Sequence, residues 1–170
     1  MERAFSEKNG WDITLPSNGT GIEDRSGGAD KDYKLYVAFN STLASVAGAT
    51  TSCGSVAFVG VDPDNASQAE VDLTGVDCNA SIITVTVTDV VDTDGNSLGS
   101  ASITFGLLVG DVNGDGTVDR ADYDVVLAHE GQPTNSHNFR ADVSASASGV
   151  GHIDVSDAKL VRREQGTHLP

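Results

Sequence analysis

From residue 11 to about residue 109, apolar and polar positions alternate in short runs separated by turn-formers, the pattern of an all-β sandwich. WDITLP places Trp11, Ile13 and Leu15 on one face. YKLYVAFN does the same with Tyr33, Leu35, Val37 and Phe39, while Lys34, Tyr36 and Asn40 point the other way. SVAFVGV, QAEVDLTGV, SIITVTVTDV and SASITFGLLV continue the series. With a weaker run near Ala44 to Thr50, about seven strands are predicted. Asp94-Gly95 supplies a tight turn between the last two. Helical periodicity is absent from this half.

Two stretches fall outside that alternation. Residues 1–10 read as a polar N-terminal arm, and MERAFSEKNG lacks the apolar core of a signal peptide. Residues 17–32, SNGTGIEDRSGGADKD, form a 16-residue polar stretch with four glycines, longer than connections usually are without structure of their own. It reads either as a flexible surface loop or as a tether that lets the first strand complete a neighbour's sheet edge. The apolar runs are too short to span a membrane.

At residue 110 the pattern changes with no linker, so residues 11–109 and 110–170 are expected to form two directly fused modules. The segment from Asp111 to Asp122, DVNGDGTVDRAD, has the spacing of a twelve-residue calcium loop. Calcium takes six to eight hard oxygens, supplied from positions 1, 3, 5, 7, 9 and 12. Those positions are Asp111, Asn113, Asp115, the Thr117 carbonyl, Asp119 and Asp122. Gly116 stands at position 6, where the chain turns sharply, and Asp122 replaces the usual Glu at position 12. Val118, at position 8, is an apolar plug expected to pair with a second loop.

A second copy follows. FRADV before Asp142 echoes LVGDV before Asp111, and DAKLVRREQG echoes DYDVVLAHEG, with Gly131 and Gly166 as matching helix stops. This loop carries four extra residues, Asp142 to Asp157 spanning sixteen. Its candidate ligands are Asp142, the hydroxyls of Ser144 and Ser146, the His152 carbonyl, Asp154 and Asp157. Fewer charged ligands predict weaker binding there than in the first loop.

Two calcium loops, each followed by one helix and none preceded by one, resemble a dockerin module over residues 108–170. Upstream, DITLP, GIEDRSGG, DLTGV, VTDVVDTDGNS and ITFGLLVGDVNGDG are similar to an Ig-like β-sandwich that accompanies such modules in secreted bacterial proteins. The resemblance implies Ca2+ as ligand and a cohesin-like partner met through loop positions 10 and 11, here Arg120 and Ala121 against Val155 and Ser156. These pairs differ, so a symmetric two-way binding mode is not expected.

Composition sharpens the functional choice. The chain of 170 residues carries net charge -15, and 19 of its 25 acids are Asp, the residue of turns, caps and hard-cation sites. Such a surface repels phosphate backbones and anionic lipid, which argues against nucleic-acid or membrane partners. No nucleophile elbow, zinc-protease helix or phosphate loop occurs, so no enzyme is predicted. Cys53 and Cys78 lack metal spacing and read as a disulfide of a secreted protein, the alternative being two buried thiols. Four sequons, at Asn18, Asn40, Asn65 and Asn79, are candidate glycosylation sites. The expected function is a non-catalytic, extracellular, calcium-binding structural protein that self-associates, head-to-tail or by strand donation, into a filament. A dockerin-type anchoring module that binds a cohesin-like partner is the alternative.

Overall fold

The computed structural model describes residues 3–144 and 151–170. In chain order these form strands β1 (Arg3–Lys8), β2 (Trp11–Leu15), β3 (Ile22–Glu23), β4 (Tyr33–Ala38), β5 (Leu43–Thr51), β6 (Ser55–Val61), β7 (Gln68–Thr74), β8 (Ser81–Asp92) and β9 (Ser97–Leu107). Helices α1 (Arg120–His129) and α2 (Val155–Glu164) follow, with a 3-10 turn at Phe139–Ala141 between them. The strands make a two-sheet sandwich, β2-β1-β4-β7-β6 on β3-β9-β8-β5, and the chain is mainly β with two small helices. Every pairing is antiparallel except β3 with β9. Leu35, Val37, Val71 and Leu73 of one sheet meet Ile83, Val85, Ile103 and Phe105 of the other. The same apolar cluster runs on through Leu108 and Val112 to Val118, Val126, Ile153 and Val161 in the C-terminal module.

Nine strands replace the predicted seven, and both additions correct a reading of the sequence. The predicted N-terminal arm is no free arm where it is described: β1, Arg3–Lys8, lies between β2 and β4 in its own sheet. Its core-facing positions are the small Ala4 and Ser6, 0% and 1% exposed, so no stripe of large apolar residues announces it. The turn does. Asn9-Gly10 is a two-residue hairpin loop with φ of 57° and 81°, joining the pair Lys8–Trp11, and Asn-Gly favours this doubly positive geometry. Since β2 pairs with β1, the first predicted strand completes a sheet within its own chain rather than a neighbour's.

The polar stretch 17–32 is likewise not a flexible loop. It contributes β3, whose Ile22 and Glu23 pair with Gly106 and Leu107. Gly106 lies close to the C-terminal tail: a Cβ there would stand 2.5 Å from Leu169 Cδ1, so that side chain would have to shift. The disulfide Cys53–Cys78 ties the β5–β6 corner to the connection before β8. Closing a loop of 25 residues restricts the unfolded chain by roughly 3 kcal/mol in the entropy model. Among the described residues no helix is long and apolar enough to cross a membrane.

Candidate metal centre and the joint that holds it

The first loop folds around the Asp111 carboxylate, which is wholly buried. Its Oδ1 accepts from Gly114 N (2.9 Å) and Asp115 N (3.0 Å), and its Oδ2 from Gly116 N (2.9 Å). Asp122, also wholly buried, closes the other end by accepting from Asn113 N at 3.1 Å and Asp119 N at 2.9 Å. Asp115 accepts from the Asn113 amide and from Thr117 N. Asp119 caps α1 through Ala121 N at 2.7 Å, with Asp122 completing a capping box. The sequence therefore gathers five of its six proposed positions into one hydrogen-bonded ring, with the Thr117 carbonyl on its rim.

The second loop repeats the frame in spite of its insertion. Gly151 N donates to Asp142 Oδ2 (3.2 Å), Ser144 N to Asp157 Oδ1 (2.7 Å) and Asp154 N to Asp157 Oδ2 (2.8 Å). These match the Gly116–Asp111, Asn113–Asp122 and Asp119–Asp122 bonds of the first loop. Asp154 caps α2 as Asp119 caps α1. The Ser144 hydroxyl is turned onto Asp157. His152 lies in an isolated bridge with Pro133. Ser146 lies outside the described residues.

Val118 and Ile153, the two position-8 residues, are fully buried in the same apolar cluster. Each pairs with the tail behind the other repeat's helix. Val118 N donates to Thr167 O and Gly166 N to Val118 O, while Ile153 N donates to Gln132 O and Gly131 N to Ile153 O. The matched glycine stops, Gly131 at φ 83° and Gly166 at φ 93°, turn the chain into these exchanged contacts.

Electrostatics bear on whether the residues suit a cation. Burial raises Asp111, and Asp122 and Asp115 push the same way against backbone donors. Burial likewise raises Asp142, with Asp157 adding to it, and raises Asp157 itself. Asp142 Oδ1 is buried without a hydrogen-bond partner. Among the described residues no group of three or more His, Cys, Asp or Glu side chains is placed to hold a metal ion. The donors of the first loop nevertheless suit a hard cation, being carboxylate, amide and carbonyl oxygens, a set for calcium or magnesium rather than zinc. Arg120 pairs with Asp124 instead and covers the Tyr123 ring.

The joint between the modules is the feature sequence reasoning missed, and it is built from the polar stretch. Arg25 is 2% exposed and uses all five N–H groups. Nε and Nη2 grip the Glu23 carboxylate at 2.8 Å each, Nη2 reaches Ser6 O (2.9 Å), and Nη1 reaches Trp11 O (2.8 Å) and Lys8 O (3.4 Å). Although burial pushes Glu23 up, Arg25 holds it below the usual carboxylate range. Phe139 of the C-terminal module stacks on Trp11 at 5.7 Å, with Arg25 against the same ring.

Arg140 crosses in the other direction. It donates to Val112 O, Asp111 O and Ile22 O and stands 3.0 Å from Asp24 Oδ1. Burial pushes Asp24 up to about 8 against the pull of Arg140. Backbone bonds Gly110 N to Asp24 O and Ser26 N to Val143 O complete the seam. Asp24 and Arg140 thus bond directly across the two halves, and Arg25, held by Glu23 within the sandwich, meets the C-terminal module at the Phe139 ring.

Of the remaining predicted positions, all but Ser156 and Asn79 are exposed. Arg120, Ala121 and Val155 are exposed at the starts of α1 and α2, and Ser156 is half-buried and bonded to Asp154. Asn18, Asn40 and Asn65 are exposed. Asn79 is half-buried, with its amide donating to Glu164 at 3.0 Å and its carbonyl accepting from Val109 N at 2.8 Å. In the folded chain it is an inter-module strut rather than an open sequon. The chain matches no family model, no curated protein and no solved structure, so the functional reading rests on its own residues.

Proposed function

We propose that the chain is a non-catalytic, extracellular calcium-binding structural protein, in which an Ig-like sandwich and a dockerin-like module act as one body and associate with further copies of themselves. The observation that carries the calcium reading is the repeated frame. Two loops of different length place an Asp pair, Asp111 with Asp122 and Asp142 with Asp157, on equivalent backbone donors at the entrance to equivalent capped helices. Asp111, Asn113, Asp115, the Thr117 carbonyl, Asp119 and Asp122 would hold the ion. Its charge would relieve the repulsion among the buried acids and order residues 110–170. The disulfide suits an oxidising, extracellular setting.

Self-association is supported by the direct, densely bonded joint, which suits a building block better than a tethered anchor. Since β1 and β2 are paired in their own sheet, assembly by docking of intact subunits is favoured over donation of the N-terminal strand. The anchoring alternative draws on one feature: a surface concavity between Thr117, Arg120, Tyr123 and Arg162 borders the positions by which a cohesin-like domain would be met.

Light scattering and electron microscopy of the purified protein, with calcium and with chelator, test the reading. Calcium-dependent oligomers or filaments are expected. A monodisperse monomer in both conditions refutes self-association, and capture of a cohesin-like domain by that monomer selects the anchoring alternative.

A further inference from the structure

Charge is divided unevenly between the two outer faces of the sandwich. The chain has 10 basic and 25 acidic residues, yet none falls between Lys34 and Asp62 or between Asp94 and Asp111. The first of these runs supplies β5 and β6, and the second supplies β9. Between β5 and β9 lies β8, which buries Ile83, Val85 and Val87 and so turns Ile82, Thr84, Thr86 and Thr88 outward. Register sets Thr86 between Thr50 of β5 and Ser102 of β9, and Thr84 beside Thr104. The outer face of this sheet is therefore a field of hydroxyls without a charge, and Asp89 is the first acid met beyond Thr88. On the other sheet Glu7, Lys34, Glu70 and Asp72 stand side by side across β1, β4 and β7.

Three properties suit the charge-free face to being covered. The Thr84 and Thr104 hydroxyls bond each other at 3.2 Å, and those of Thr86 and Ser102 at 2.7 Å, so part of the hydrogen bonding is met within the face and survives the loss of water. The face holds none of the long Lys, Arg or Glu side chains that lose most freedom on burial. One end of it is already covered by protein. Leu169 of the C-terminal tail and Ile22 lie over Gly106, the register partner of Ile82, which is itself 44% exposed.

Charge also selects the occupant. Two copies at net charge -15 repel wherever acids face acids, and they approach at least cost through surfaces that carry none. A basic partner would find its attraction on the acidic sheet instead. We propose that the outer face of β5, β8 and β9 is the surface on which two copies of the chain meet, sheet on sheet about a two-fold axis. This rests on the self-association reading above and gives it a surface. Because the same face serves both copies, the contact is self-complementary and needs no second patch. Three strands at about 4.8 Å spacing make an interface at the small end of the range, so association is expected to be reversible and concentration-dependent.

Sedimentation velocity of the full chain over a range of concentrations, with calcium and with chelator, tests the idea. The variants are Thr86→Glu and Thr86→Lys on the central strand, with Thr14→Glu, at an exposed position of the other sheet, as control. Wild type and Thr14→Glu are expected to associate alike. Each Thr86 variant is expected to weaken association on the order of tenfold, because it sets like charges on both sides of the contact, and an equimolar mixture of the two recovers it. Where Thr86→Glu lowers Tm, Ser102→Glu, exposed in the same cross-strand row, reads the same contact. Association of both Glu variants within about threefold of wild type overturns the proposal and leaves the copies meeting elsewhere. Tighter association of Thr86→Lys, or a mixture no tighter than either variant alone, overturns the face-to-face contact. Wild type monomeric throughout overturns the self-association reading itself.

Discussion

Arg25→Met tests the buried cluster that ties the β1–β2 hairpin to the 17–32 stretch beside the joint. The substitution preserves most of the aliphatic stem but removes five hydrogen bonds and leaves Glu23, 1% exposed, as an uncompensated buried carboxylate. Removing one partner of such a pair costs about 3–5 kcal/mol, because the remaining charge keeps its desolvation penalty without its attraction. The carbonyls of Ser6 and Trp11 lose their donor as well, so the upper half of that range is expected. For a chain of this size each kcal/mol shifts Tm by about 2–4 °C, giving a fall of roughly 10 °C or more.

The assay is urea or thermal unfolding of wild type, Arg25→Met and the double variant Glu23→Leu/Arg25→Met, all under oxidising conditions. The double variant should recover much of the loss, since an apolar pair of similar volume replaces a buried ion pair at little cost. A loss below about 1 kcal/mol for Arg25→Met would show that the guanidinium is not what unites hairpin and loop. A double variant no more stable than the single one would show that Glu23 is not the group left stranded.

Further outcomes follow from the same contacts. The raised Asp111, Asp142 and Asp157 hold protons longer in the folded apo state than in the unfolded chain, so their contribution is present at low pH and lost as pH rises; bound calcium reverses this by requiring the deprotonated forms. The Tm gain on adding calcium should therefore vanish near pH 4 and grow toward pH 7, and a pH-independent gain would contradict the ligand assignment. By the same sign, Asp24, pushed up to about 8, withdraws stability as pH climbs from 5 toward 8, and Asp24→Asn should flatten that slope in chelator; an unchanged slope refutes its burial as the cause. Peptide mapping after expression in a glycosylating host should find Asn79 unmodified, because both ends of its amide are engaged; full occupancy there would contradict the strut. Deleting residues 166–170 removes the partners of Gly116 and Val118 and should weaken first-loop calcium affinity severalfold or more; equal affinity by titration would refute the exchanged-tail arrangement.

Alternation made the sandwich legible where a strand buries one face, as in β4 and β8, and the Asp and Gly spacing of residues 111–122 made the hydrogen-bonded turn of the first loop legible. Neither signal covers the joint. β1 presents Ala4 and Ser6 inward, so its burial leaves no trace in hydropathy, and only Asn9-Gly10 carried the information. β3 is two residues long and buries an acid. Arg25 looks like solvent-exposed charge until the three backbone carbonyls around it are in place, and their convergence is a property of tertiary structure rather than of any window of sequence. The second loop lay between these cases: its helix and Gly166 echoed the first repeat, while Lys8, which donates to Ser144 O, comes from the opposite end of the chain.

The exchanged tails also set an order of construction. Leu169 N bonds Gly116 O, and Thr167 O receives Val118 N, so the first loop is fastened by residues translated about fifty positions after it. During synthesis the sandwich can condense early, but the first loop stays unfastened until the tail behind α2 has emerged. The first loop thus closes last, once Gly166, Thr167 and Leu169 are in place to bond it.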